Sequence, residues 1–217
     1  MIKLIGIVFR AYGKRGIFDM KKNYGFIFVF VLLFAALTGI SVFGFSPDAQ
    51  QTGSTPEPTG KDVLVVYFSA TGTTKGVAEK IAGITDADLY EILAADDYTD
   101  ADLNWNDRNS RTTLEQNDRS VRPEISSDPV NLEGYSTIYI GYPIWWGEAP
   151  RIMDTFVESY DFEEITMIPF CTSASSGIGR SGKILEENAE SGKWLEGRRF
   201  GGNVSEDDLR SWIGSLQ

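Results

Sequence analysis

Between Asp62 and Thr74 the chain sets the hydroxyls of Ser69, Thr71, Thr73 and Thr74 around one glycine, Gly72, with Ala70 among them. Hydroxyls and backbone N–H groups donate hydrogen bonds without adding formal charge, so this cluster suits an anion held by neutral donors. Lys75 follows directly, and a solvated surface lysine is the plainer reading of it. A second group is Tyr142-Pro143-Ile144-Trp145-Trp146-Gly147, whose aromatic faces suit stacking on a flat ring. A third is Thr172-Ser173-Ala174-Ser175-Ser176-Gly177, small residues that let backbone approach the polar edge of such a ring. There is no histidine and one cysteine, Cys171. Ser-His-Asp and Cys-His catalysis and His-ligated metals are therefore excluded. Cys171 ends an apolar run, which reads as a buried thiol. A chain so equipped does chemistry by borrowing the reactivity of an organic cofactor.

Each group follows an apolar run that must position it. Val63-Leu64-Val65-Val66-Tyr67-Phe68 reads as a strand buried on both faces, and Val77, Ala78, Ile81 and Ile84 then repeat at helical spacing. Strand, loop and helix in that order put the hydroxyl loop at a helix N-terminus, where the macrodipole favours an anion. The plainer alternative is a βα turn in which a threonine caps the helix. Thr137 to Gly141 and Glu164 to Cys171 read as two further buried strands. Open parallel sheets bind ligands outside the carboxyl ends of their strands, so the three loops can converge on one crevice. The first loop lacks the G-x-x-x-x-G-K-[ST] pattern and has one glycine where a dinucleotide fingerprint needs three. Gly177 to Gly182 fits G-x-G-x-x-G literally, but Thr172 to Ser176 separate it from the strand. Gly202 stands where the acidic partner is expected, so a nicotinamide fingerprint is rejected.

The set Val66-Tyr67-Phe68-Ser69-x-Thr71-Gly72-x-Thr74, Gly141-Tyr142-Pro143-Ile144-Trp145-Trp146-Gly147 and Pro169-Phe170-Cys171-Thr172-Ser173 is similar to a bacterial group of single-domain flavodoxin-like proteins. The resemblance covers nearly all of Lys61 to Gln217. It implies an α/β fold, a three-layer α/β/α sandwich on a five-stranded parallel sheet in the order 2-1-3-4-5. It also implies FMN, with the 5′-phosphate at Ser69, Ala70, Thr71, Gly72, Thr73 and Thr74. The ring then lies against Pro143, Ile144, Trp145, Trp146 and Gly147, and against Thr172, Ser173, Ser175, Ser176 and Gly177. Ala70 departs from the longer polar residue common in the family, at a position that backbone alone can serve. One of the two tryptophans is expected to pack inward and the other to face the crevice. The G-x-G-x-x-G run becomes a loop beside the flavin ring. The implied function is electron transfer, or reduction of a small acceptor such as a quinone. An NAD(P)H:quinone-type reductase and a non-redox binding module are the alternatives. A phospho-acceptor receiver domain is dismissed, because Ser69-Ala70 and Gly141-Tyr142 stand where its acids belong.

Net charge is −11, although the N-terminal 46 residues hold six Lys/Arg and one acid. The remainder carries 14 basic and 30 acidic residues, a surface that repels nucleic acid and suits a basic redox partner or plain solubility. Such a field, with no His or Lys at the flavin, predicts a low potential for its second electron. Gly25 to Phe45 is 21 uncharged residues after Lys21 and Lys22, long enough to span a bilayer. Residues 1–46 therefore read as a signal peptide or membrane anchor, with Met20 as a better start than Met1. Upstream positive charge places the domain outside the cytoplasm. Residues 47–60, rich in Ser, Thr, Pro, Gly and Gln, read as a flexible tether, and 61–217 as the domain.

Within the domain, Ala87 to Ile92 reads as an edge strand, Arg151 to Tyr160 as a helix and Trp194 to Phe200 as the last strand. Ser205 should cap a final helix whose stripe is Leu209, Trp212, Ile213 and Leu216. Asp96 to Pro129 is a long acidic insertion with Leu103, Trp105, Leu114 and Val121 as its large apolar residues, helical near Thr113 to Asp118. It reads either as a flap over the flavin or a partner surface, with Trp105 as its anchor, or as a poorly ordered connection.

Overall fold

The computed structural model describes residues 60–216; the expected leader, the start at Met20 and residues 47–59 of the tether lie outside them. Strands β1 (Val63–Phe68), β2 (Asp88–Ile92), β3 (Thr137–Pro143), β4 (Thr166–Thr172), β5 (Lys193–Trp194) and β6 (Arg198–Phe200) alternate with five helices. These are α1 (Thr73–Thr85), α2 (Arg111–Asn117), α3 (Arg151–Val157), α4 (Ser181–Ala189) and α5 (Glu206–Gly214). The strands pair in parallel in the order β2-β1-β3-β4-β5, with β6 also on β4, which is the expected topology. Two-sided burial explains the continuous apolar run of β1. Leu64, Val66 and Phe68 pack on one face with Ile152, Met153 and Phe156 of α3 and Leu185 of α4. Val65 and Tyr67 pack on the other with Val77 and Ile81 of α1 and Leu209 and Trp212 of α5. Each fully buried residue of this size contributes about 1.5–3 kcal/mol.

The last strand is not continuous, which corrects the expectation of one strand over Trp194 to Phe200. Trp194 pairs with Met167 and Arg198 with Phe170, so Leu195, Glu196 and Gly197 oppose only Ile168 and Pro169. That is a one-residue bulge. Its cause lies in β4. Met167 O accepts from Leu195 N, so Met167 and, by strand alternation, Pro169 face the edge strand. Proline has no N–H to give there, and the ladder breaks opposite it. Gly197 lies so close that a Cβ would sit 2.7 Å from Pro169 O and 2.5 Å from Ile178 Cδ1.

Two helix boundaries also differ. α3 stops at Val157 rather than Tyr160, because the chain tightens through Ser159 N to Phe156 O and turns the Tyr160 ring onto Phe156, 4.8 Å between centroids. α2 starts at Arg111, two residues early, where Ser110 Oγ accepts from Thr113 N. α5 is capped as expected, Ser205 Oγ accepting from Asp208 N at 3.1 Å.

The insertion is an ordered element, not a loose connection. Ala95 N donates to Glu124 O and Ser126 N to Leu93 O, both at 2.9 Å, so its return limb covers the edge beyond β2. Side chains tie its tip together, among them Thr112 Oγ1 to Asp102 O at 2.6 Å and Thr113 Oγ1 to Asp107 O at 2.9 Å.

Candidate functional site

The loop from Ser69 to Thr74 joins β1 to α1 at the carboxyl edge of the sheet. Gly72 is the N-cap of α1, in the left-handed region, and no side chain caps the helix. The reading of a threonine cap therefore does not hold, and the first-turn amides stay free of side-chain acceptors. Thr71 Oγ1 and Thr73 Oγ1 stand 3.4 Å apart. Ser69 Oγ is buried without a hydrogen-bond partner, an arrangement that costs free energy unless a ligand satisfies it. Thr74 differs from its neighbours: its buried hydroxyl bonds that of Thr172 at 2.8 Å, tying the loop to the end of β4. Lys75 does not serve the loop, since its Nζ pairs with Glu91 at 3.1 Å. The Tyr67 hydroxyl donates to the same carboxylate, and burial together with that carboxylate raises its pKa.

A cavity of about 430 Å³ opens beside this loop. Its lining is Ser69, Ala70, Thr71, Thr73 and Thr74 from the first loop, Pro143, Ile144, Trp145 and Trp146 from the second, and Leu103, Trp105 and Thr112 from the insertion. No ionisable side chain is among them. Gly72 interrupts the first of these lining runs and Gly147 follows the second, and neither lines the cavity itself. Leu103 and Thr112 are additions that sequence reading missed. Leu103 carried a signal, being apolar in a polar stretch, whereas Thr112 carried none.

The third loop abuts the site but does not line this cavity. Thr172 is committed to Thr74, and its carbonyl accepts from Ile144 N at 3.0 Å. Ser173 Oγ turns back to Ser176 O at 2.5 Å, while Ser175, Ser176 and Gly177 are exposed. Arg199 of β6 donates to the carbonyls of Ser173 at 2.6 Å and Ala174 at 2.5 Å.

The tryptophan pair resolves into two roles. Trp145 and Glu148 exchange both backbone hydrogen bonds, at 2.9 and 3.0 Å, with Trp146 at φ 49° and Gly147 at φ 81°. Positive φ at both central residues defines a two-residue type I′ turn. Gly147 suits its place, but a bulky residue such as Trp146 avoids it, at a cost on the order of 1–3 kcal/mol. The Trp145 ring packs edge-on against Phe68 and Tyr98, at 5.7 and 5.2 Å, whereas Trp146 remains 45% exposed at the cavity.

A doubly wound sheet, an uncapped helix N-terminus with neutral donors, and an aromatic wall define a protein class that holds a phosphate joined to a flat ring. The flavodoxin family model matches residues 62–216, and the chain belongs to that family. A Bacteroides uniformis protein assigned as a flavoprotein is 46% identical, the match covering 72% of this chain and 99% of that one at a TM-score of 0.68. One from Bacteroides eggerthii, likewise assigned, is 43% identical over 71% and 97%, with TM-score 0.68. A Lactobacillus acidophilus flavoprotein solved in complex with FMN shares the fold, at 24% identity over 70% of this chain and 99% of that one and TM-score 0.55. Comparison with curated proteins gives no match.

Proposed function

We propose that the protein binds FMN in this crevice and acts as a redox protein, passing electrons to a partner protein or to a small acceptor such as a quinone. The observation that carries this reading is the buried, unpartnered Ser69 hydroxyl beside the uncapped start of α1. Ser69, Thr71, Thr73 and the first-turn amides would hold the phosphate dianion with neutral donors and the helix dipole. Pro143, Ile144 and the tryptophans of the cavity would exclude water from the ring. Bound FMN supplies one- and two-electron chemistry, for which the chain need provide no acid or base. Membership of the flavodoxin family favours a carrier over an NAD(P)H reductase. The charge pattern of residues 1–46 supports a site of action outside the cytoplasm, by export or anchoring.

A visible spectrum tests the reading. Protein incubated with FMN and desalted should keep a bound-flavin spectrum. Ser69→Ala and Thr71→Val should each weaken FMN binding roughly 10- to 100-fold, the worth of a hydrogen bond to a charged group. Thr74 is a poorer probe, because its loss also frees Thr172. A protein that stays colourless sinks the proposal.

A further inference from the structure

Trp146 is held in a backbone region that bulky residues avoid, and the side chains that brace its turn form one connected set. Glu148, which closes the turn, accepts from Arg151 Nη2 on Oε2 at 2.8 Å and pairs with Arg119 through Oε1. Gln116 Nε2 donates to the carbonyls of Trp145 at 2.8 Å and Ala149 at 3.2 Å, one on each side of the central residues. Arg151 also donates to Glu115 O at 3.3 Å and Gln116 O at 3.0 Å, at the carboxyl end of α2 where a cation is favourable. The Arg151 side chain is 3% exposed and that of Arg119 69%, so Arg151 carries most of the electrostatic hold on Glu148. The side-chain hydrogen bonds and ion pairs on the turn thus come from the insertion or from the arginine that docks it.

We infer that Glu148 and Gln116 are positioning residues that hold the turn left-handed and couple the seating of the insertion to the placement of Trp146 at the crevice. The affinity readout rests on the FMN reading above. Residues that merely stiffened the fold would change FMN affinity independently of Trp146. Residues acting through Trp146 must lose their effect once its side chain is gone.

The test is a pair of double-mutant cycles, Glu148→Gln and Gln116→Leu, each made alone and with Trp146→Gly. Each single change is expected to weaken FMN binding by at least about fivefold, and by less than about twofold in the Trp146→Gly background. Additive losses overturn the inference. Glu148→Gln leaves buried Arg151 with Asp154 as its one remaining carboxylate partner and can prevent folding, in which case Gln116→Leu decides. A second measurement needs no flavin: amide exchange at Glu148, whose N–H closes the turn, should quicken about tenfold or more in Gln116→Leu. Unchanged exchange overturns the inference. A natural protein that takes up no FMN sinks the FMN reading alone, and the exchange result still decides this one.

Discussion

The hydroxyls of the first loop, so alike in sequence, divide their labour in the structure. Ser69 is left without a partner, Thr71 and Thr73 stand together, and Thr74 is a tie to a strand 98 residues away. On the proposed reading, the first three would hold the anion without a countercharge. Cys171 has no part in it. Burial pushes its thiol up to about 12, against a small opposing pull from Arg199. The sign is simple: below that value the thiol keeps its proton, so the reactive thiolate is scarce at any neutral or mildly alkaline pH. Iodoacetamide at about pH 8 should label Cys171 only as fast as the protein unfolds, a rate read by adding urea. Prompt stoichiometric labelling of the folded protein would contradict this. The inert thiol was legible from the apolar strand it ends. The role of Trp146 was not, because it depends on a backbone dihedral that adjacent Trp-Trp-Gly letters do not specify.

At the scale of elements, the break between β5 and β6 shows how one missing donor shapes an edge. Pro169 sits inside the sheet, and the chain answers with a bulge and a glycine pressed against it. Gly197→Ala should destabilise the protein by about 1–3 kcal/mol, the usual cost of overpacking, as measured by urea unfolding. An unchanged midpoint would mean that the edge moves freely away from β4. Pro169 was visible in the sequence, but its consequence hung on which side of β4 its nitrogen faces. The insertion teaches a related point. Its polar composition left open a flap, a partner surface or a loose connection, and hydrogen bonds within it from Thr112 and Thr113, with one from Gln116 to the distant carbonyl of Trp145, decided against the loose connection.

For the whole molecule, the governing quantity is charge. Beyond residue 46 the chain carries 30 acidic against 14 basic residues, and the cavity lining is neutral. An acidic field disfavours adding negative charge to a bound ring. The second-electron potential of bound FMN is expected to lie below that of free FMN in a potentiometric titration. A value at or above free FMN would overturn the field argument and turn attention to Arg199, a cation of β6 held against the third loop that a count of His and Lys overlooks.

By itself the sequence determined the parallel sheet, the loops at its carboxyl edge and the family. Burial on both faces writes continuous apolar runs, and loops that touch a ligand keep distinctive local residues. Only the tertiary structure decided which of those loops line the cavity. It brought Leu103, Trp105 and Thr112 to the first loop, turned the third loop onto itself and Arg199, and stood Trp146 out on a strained turn. Those outcomes rest on hydrogen-bond partners far apart in the chain and on backbone dihedrals that distant contacts hold in place.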